Sequence, residues 1–168
     1  MAGKGNKEEV YFKICNTVLR LEVSKGHQKW TLSDIAKYAD VTRSLIYYYF
    51  GKEKKTIVEE AFRYMLDLFF NLNSDEHRGV AARMSNIIPK IKEMPYCFVL
   101  FFLERSKETE IGVIIRQKEK ALLERLKSEY PDMDANQILR VYLMELGAIA
   151  FSLDNEKVFE IFPPMQSK

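Results

Sequence analysis

At 168 residues and 47% apolar side chains, the chain has enough material for one large domain or two small ones around a real core. Cys15 and Cys97 lie far apart without metal-ligand spacing, and the longest apolar run, Met94 to Leu103, is well short of the roughly 20 residues that cross a bilayer. These features, with a polar start (MAGKGNKEE) unlike a signal peptide, argue against a disulfide scaffold, a metal centre and a membrane partner, and a cytoplasmic protein with reduced thiols is expected. The net charge of +2 divides unevenly: residues 1–55 hold 11 Lys/Arg against 6 Asp/Glu, and the remainder 15 against 18.

Residues 1–6 read as a loose arm. A first helix is predicted from Lys7 to Lys25, with Val10, Ile14, Val18 and Leu21 at helical spacing and Gly26 as its stop. In the stretch TLSDIAKYADVTRSLIYYYFGKEKK, Thr31 and Asp34 have capping-box spacing before the apolar pair Ile35-Ala36. That helix lasts about two turns, because Asp40 tolerates the left-handed backbone of a tight turn and Thr42 is a fresh N-cap for a second helix, Arg43 to Phe50. Ile35, Ala39, Val41, Ile46 and Phe50 form the shared core, with the small Ala36 allowing close crossing. Helical spacing then stacks Arg43 with Tyr47 and Ser44 with Tyr48 on the outside. A polar, aromatic and cationic helix face led by a helix N-terminus suits the major groove of DNA. Arg43, Ser44 and Tyr48 are the candidates for choosing bases, with Leu45 against a thymine methyl, and Thr31, Thr42, Tyr47, Lys52 and Lys54 the candidates for holding phosphate.

The pattern T-L-x-D-I-A-x-x-A-x-V-T-x-x-x-I-Y-x-Y-F over Thr31 to Phe50 resembles the DNA-binding segment of the tetracycline-repressor (TetR) family of bacterial transcriptional regulators. Ile35-Ala36, Val41-Thr42 and Tyr47 through Phe50 carry the match. Three positions depart from it: Asp40 stands where the family usually has Gly, Glu53 where it usually has Lys, and Glu22 where it often has an aromatic, with Trp30 the candidate to fill that space. The resemblance implies a dimer reading an inverted-repeat operator in double-stranded DNA, and a body that binds a small molecule.

Beyond the motif, a fourth helix is predicted from Lys52 to Asn73, with Ile57, Phe62, Met65, Leu66, Phe69 and Leu72 on one broad face. Asn73-Ser74-Asp75 is a break, and a helix from Glu76 to Glu93 follows, bent or split at Pro89. Pro95 opens a helix from Tyr96 to Lys107, apolar all round and therefore expected to be surrounded. Thr109 to Glu129 is amphipathic, Asp134 opens a last long helix to Asp154, and a short helix through Phe159 precedes Pro163-Pro164. With no strand-like alternation, the expected architecture is all-α: residues 1–55 a three-helix DNA-binding unit with a helix-turn-helix, and residues 56–168 a helical bundle for ligand binding and dimerisation.

Phe69, Tyr96, Phe98 and Phe102 are the candidate wall for a small hydrophobic effector; spacing alone favours plain core, and it is the resemblance that brings a ligand cavity level with it. In the resembled family the closing helices make the dimer interface, which assigns it to residues 109–129 and 134–154. His27 and His77 stand isolated, no nucleophile is paired with a base, and no phosphate-cradling glycine loop occurs, so neither enzyme chemistry nor a cofactor is expected. The expected function is a DNA-binding transcriptional repressor released by a small hydrophobic ligand. A helical interaction module or a small helical enzyme is the alternative.

Overall fold

The computed structural model describes residues 4–70 and 79–162, and every regular element among them is helical. The N-terminal unit is α1 (Lys4–Lys25), α2 (Leu32–Ala39) and α3 (Arg43–Phe50). From it α4 (Lys54–Phe70) leads into a body of α5 (Val80–Glu93), α6 (Pro95–Glu104), α7 (Glu110–Glu129), α8 (Ala135–Ala150) and α9 (Asn155–Ile161). The predicted break at Asn73-Ser74-Asp75, along with Leu72, His77 and Pro163-Pro164, lies outside the described residues.

The first helix begins at Lys4, so residues 4–6 belong to it and not to a loose arm. It buries Ile14, Cys15, Val18, Leu19 and Leu21, and packs against α2, α4 and α6. It ends at Gly26, whose φ of 93° is costly for any residue with a Cβ. The chain then turns around a buried carboxylate. Glu22 accepts hydrogen bonds from the Trp30 indole N–H, from the Gln28 amide at 3.0 Å and from His27 Nδ1 at 2.9 Å. Trp30 is fully buried beside it. A carboxylate is tolerable in such a place because its lone pairs are met by donors.

On α4, Ile57, Val58, Ala61, Phe62, Met65, Leu66, Phe69 and Phe70 are all buried, against α1 and α3 at one end and α5, α6 and α7 in the body. One helix thus packs against both the N-terminal unit and the body, within one continuous core. The fifth helix runs unbroken through Pro89, with Ser85 and Asn86 donating to the carbonyls of Ala81 and Ala82.

Two expectations about the body fail. The apolar α6 is not surrounded: only Cys97 and Phe101 are buried, while Val99, Phe102 and Leu103 are exposed, Phe102 to 74%. The last long helix ends at Ala150 and not near Asp154, because Ser152 takes a positive φ of 49° and Asp154 caps α9 instead. Two charge groups are buried among α5, α7 and α8. Arg83, 1% exposed, pairs closely with Glu145 and at 3.4 Å with Glu129, and Tyr142 donates to Glu119, which also holds Arg105 Nε at 2.6 Å. Burial pushes the Glu145 carboxyl up to about 7, against the pull of Arg83.

Candidate nucleic-acid interface

The helix-turn-helix is built by the local rules that its sequence shows. Thr31 Oγ1 accepts from the Asp34 amide at 3.1 Å, and the Asp34 carboxylate accepts from the Thr31 amide at 2.7 Å, closing the capping box. A hydrogen bond from Lys25, then those from Thr31, hold the Asp34 carboxyl down at about 2. Asp40 sits at φ 54°, ψ 51°, the left-handed conformation required of it, and Thr42 caps α3 by accepting from the Leu45 amide at 3.3 Å. Ile35, Ala39, Ile46 and Phe50 are buried between the two helices, with Val41 and Ala36 half-buried beside them.

This packing turns one face of α3 outward. Arg43 and Ser44 are exposed and have no side-chain hydrogen bond or ion pair among the described residues, and Tyr48 is 75% exposed. Leu45 is half-buried at the edge of that face. On the flank the Lys52 ammonium lies 5.5 Å from the centroid of the half-buried Tyr47 ring, so cation and phenol are presented together. The Thr42 hydroxyl uses only an acceptor site for its cap, which leaves its proton to donate.

Two of the expected phosphate contacts have partners within the chain. Lys54 donates to the Gln28 carbonyl at 2.9 Å and lies over Trp30, 5.5 Å from a ring centroid, which binds it to the α1–α2 turn. The Thr31 hydroxyl gives its proton to Asp34 at 2.9 Å. Conversely, Lys7 went unnoticed in the sequence: its ammonium stands 5.8 Å from the Tyr49 ring, beside α3. Tyr11 makes the joint beneath, 5.5 Å from Tyr49, 4.7 Å from Phe50 and 4.8 Å from Tyr64 between centroids.

Residues 17–61 match the family model described as bacterial regulatory proteins, tetR family. The head is a TetR-family DNA-binding domain. Two solved structures resemble the whole chain: the fatty acid degradation regulator FadR from Bacillus halodurans, and a TetR-like transcriptional regulator from Rhodococcus sp. RHA1. The first is 17% identical with a TM-score of 0.56, covering 90% of this chain and 96% of its own; the second is 7% identical with a TM-score of 0.56, covering 96% and 93%. At these identities the likeness is one of fold, and it extends the TetR architecture from the head to the body. No curated protein matches the chain.

The TetR-like body carries the four candidate effector residues on α4 and α6. Phe69 packs in an aromatic cluster, its ring 5.2 Å from Phe101 and 6.1 Å from Phe98. Phe102 points to solvent from α6. Tyr96 lines a different cleft, with Asn16 and Arg20 of α1 and Tyr38 of α2. On a helix apolar all round, periodicity cannot say which side meets the core. A pocket between α4, α5, α7 and α8, beside Arg83, Tyr142 and Glu145, has a volume of about 10 Å³, room for one water.

Proposed function

We propose that the protein is a homodimeric, sequence-specific transcriptional repressor that reads an inverted-repeat operator with one head per half-site. Arg43, Ser44 and Tyr48 choose bases, Leu45 meets a thymine methyl, and Thr42, Tyr47 and Lys52 hold phosphate. The observation that carries this reading is the outward face of α3, where Arg43 and Ser44 stand without intramolecular partners at the N-terminal end of the helix. A two-turn helix reaches too few base pairs to specify a site alone, so two heads are required.

The dimer surface favoured is α8 with α9. Leu139, Leu143 and Met144 are exposed on α8, Phe151 follows at its C-terminus, and Phe159 and Ile161 extend the apolar surface from α9. Gly147 lies on the same stripe as Leu139 and Leu143, with open space where a Cβ would be, so another helix can approach closely. Of the large apolar side chains of α7 only Val113 is exposed, which gives that helix a smaller share than the sequence suggested. Control by a small, largely apolar effector completes the reading. Sedimentation of the protein tests the dimer: two chains per particle, falling to one in Leu143→Asp, is expected, and a monomer that binds DNA unassisted would overturn it.

A further inference from the structure

Where α6 turns into α7 the body meets the head, and a groove of about 430 Å³ runs between them. That volume lies in the range of small-molecule sites, about 300–1,000 Å³. Its floor is apolar: Val58 and Phe62 are buried on α4, and Leu100 of α6 and Ile111 of α7 are half-buried beside them. Its rim carries four carboxylates, Glu22, Glu59, Glu104 and Glu110, and one lysine, Lys55.

The charges do not cancel evenly. Glu22 is occupied by Trp30, Gln28 and His27, and Glu104 by Lys107 at 2.7 Å. Glu59 and Glu110 are left to share Lys55, at 3.5 and 3.6 Å. Charge-assisted hydrogen bonds close to about 2.7–2.9 Å. Two carboxylates thus hold one ammonium loosely, leaving about one negative charge at the mouth in addition to that of Glu22, whose Trp30 and Gln28 donors are neutral; the roughly half positive charge of the α7 N-terminus offsets this only in part. We propose that this groove binds a small organic cation of single charge with an apolar body, whose charged group sits between Glu59 and Glu110 and whose body covers Phe62 and Ile111. An anion of the same shape would meet both carboxylates.

The walls give such a ligand leverage. Gly112 fixes the α6–α7 corner, because a Cβ there would come within 2.1 Å of the Lys107 carbonyl oxygen, and Arg116 Nη1 ties the same corner by donating to the carbonyls of Arg105 at 3.0 Å and Lys107 at 2.9 Å. The opposite wall is held by Glu22 and Trp30. The groove therefore changes width when head and body move, and a ligand touching both walls binds the two arrangements unequally, which is the requirement for shifting them. This regulatory half rests on the repressor reading; binding itself does not.

Trp30 is the chain's single tryptophan, and its indole N–H is bonded to a groove carboxylate, so its emission reports on the site. The probes are tetraphenylphosphonium, tetraphenylborate as the anion of like shape, and spermidine as a cation without an apolar body, each titrated into the full chain. The expected result is a saturable change with the phosphonium, at least about ten-fold weaker responses to the other two, and a loss of roughly five-fold in phosphonium affinity in E59Q/E110Q with its melting temperature retained. Equal responses to phosphonium and borate, or undiminished affinity in E59Q/E110Q, would overturn the site. Saturating phosphonium should also weaken binding to a duplex selected by the wild type. Unchanged duplex affinity with the groove filled overturns the regulatory half alone, whereas absence of duplex binding without any probe counts against the repressor reading and leaves the groove standing.

Discussion

Arg43, Lys52 and Lys54 carry the same charge in neighbouring parts of the chain, yet their surroundings separate them. Arg43 stands free on α3, Lys52 rests on Tyr47, and Lys54 is tied to Gln28 and Trp30. Arg43→Ala should therefore cost about 1–3 kcal/mol on the preferred duplex and relax choice at one base pair, while Lys52→Ala should weaken all duplexes alike and lower the salt slope by about 1. Lys54→Ala should leave the salt slope unchanged and lower the melting temperature, since it removes a packing contact of the head and no phosphate contact. A salt titration of the three variants on selected and random duplexes separates these outcomes. In the body, Glu145 makes stability depend on pH. Its folded value of about 7 lies above the ordinary 4.5, so between them the folded state keeps a proton that the unfolded chain releases. This contribution is present at the acidic end of that window and is lost as pH rises through 7. The melting temperature of the wild type relative to Glu145→Gln should rise between about pH 7.5 and 5.5, and a flat difference would contradict the assignment.

At the scale of the elements, the head was legible because its rules are local. A capping box, a residue that accepts positive φ and a second N-cap each lie within a few residues of the groups they serve, and Thr31, Asp40 and Thr42 take those roles. Asp40→Val should cost about 1–2 kcal/mol of stability, because a β-branched side chain clashes in the left-handed region, while Asp40→Gly should be nearly neutral; denaturant melts distinguish them. What the sequence hid depends on residues far apart in the chain. Nothing near Lys54 announces that the carbonyl of Gln28 will capture it, nothing near Glu22 that Trp30 will donate to it, and the burial of Arg83 against Glu145 spans most of the body. The exposed side of α6 escaped notice because unbroken hydrophobicity carries no direction. Gly112 was hidden although its neighbours are near in the chain: its sequence setting is ordinary, and only the approach of the Lys107 and Glu104 carbonyls excludes a side chain. Gly112→Ala should force α6 and α7 apart and destabilise the protein by about 1–3 kcal/mol in the same melts.

At the scale of the whole molecule, the head and body are joined by α4, buried at one end against α1 and α3 and at the other against α5, α6 and α7. On the proposed function, a rod packed against both carries a change of body angle to α3 without needing a separate linkage. In a dimer closed through α8 and α9, that change alters the distance between two heads, and a fixed distance is what an inverted repeat demands. Selection of duplexes from a random pool by the full-length protein, followed by footprinting and stoichiometry on the winning sequence, tests this account most directly. It predicts an inverted repeat with two protected half-sites about one helical turn apart, two chains bound, and loss of sequence preference at one symmetric pair of positions in Arg43→Ala. Winning sequences with a single half-site filled by one chain, or no enrichment over random duplex, would contradict it.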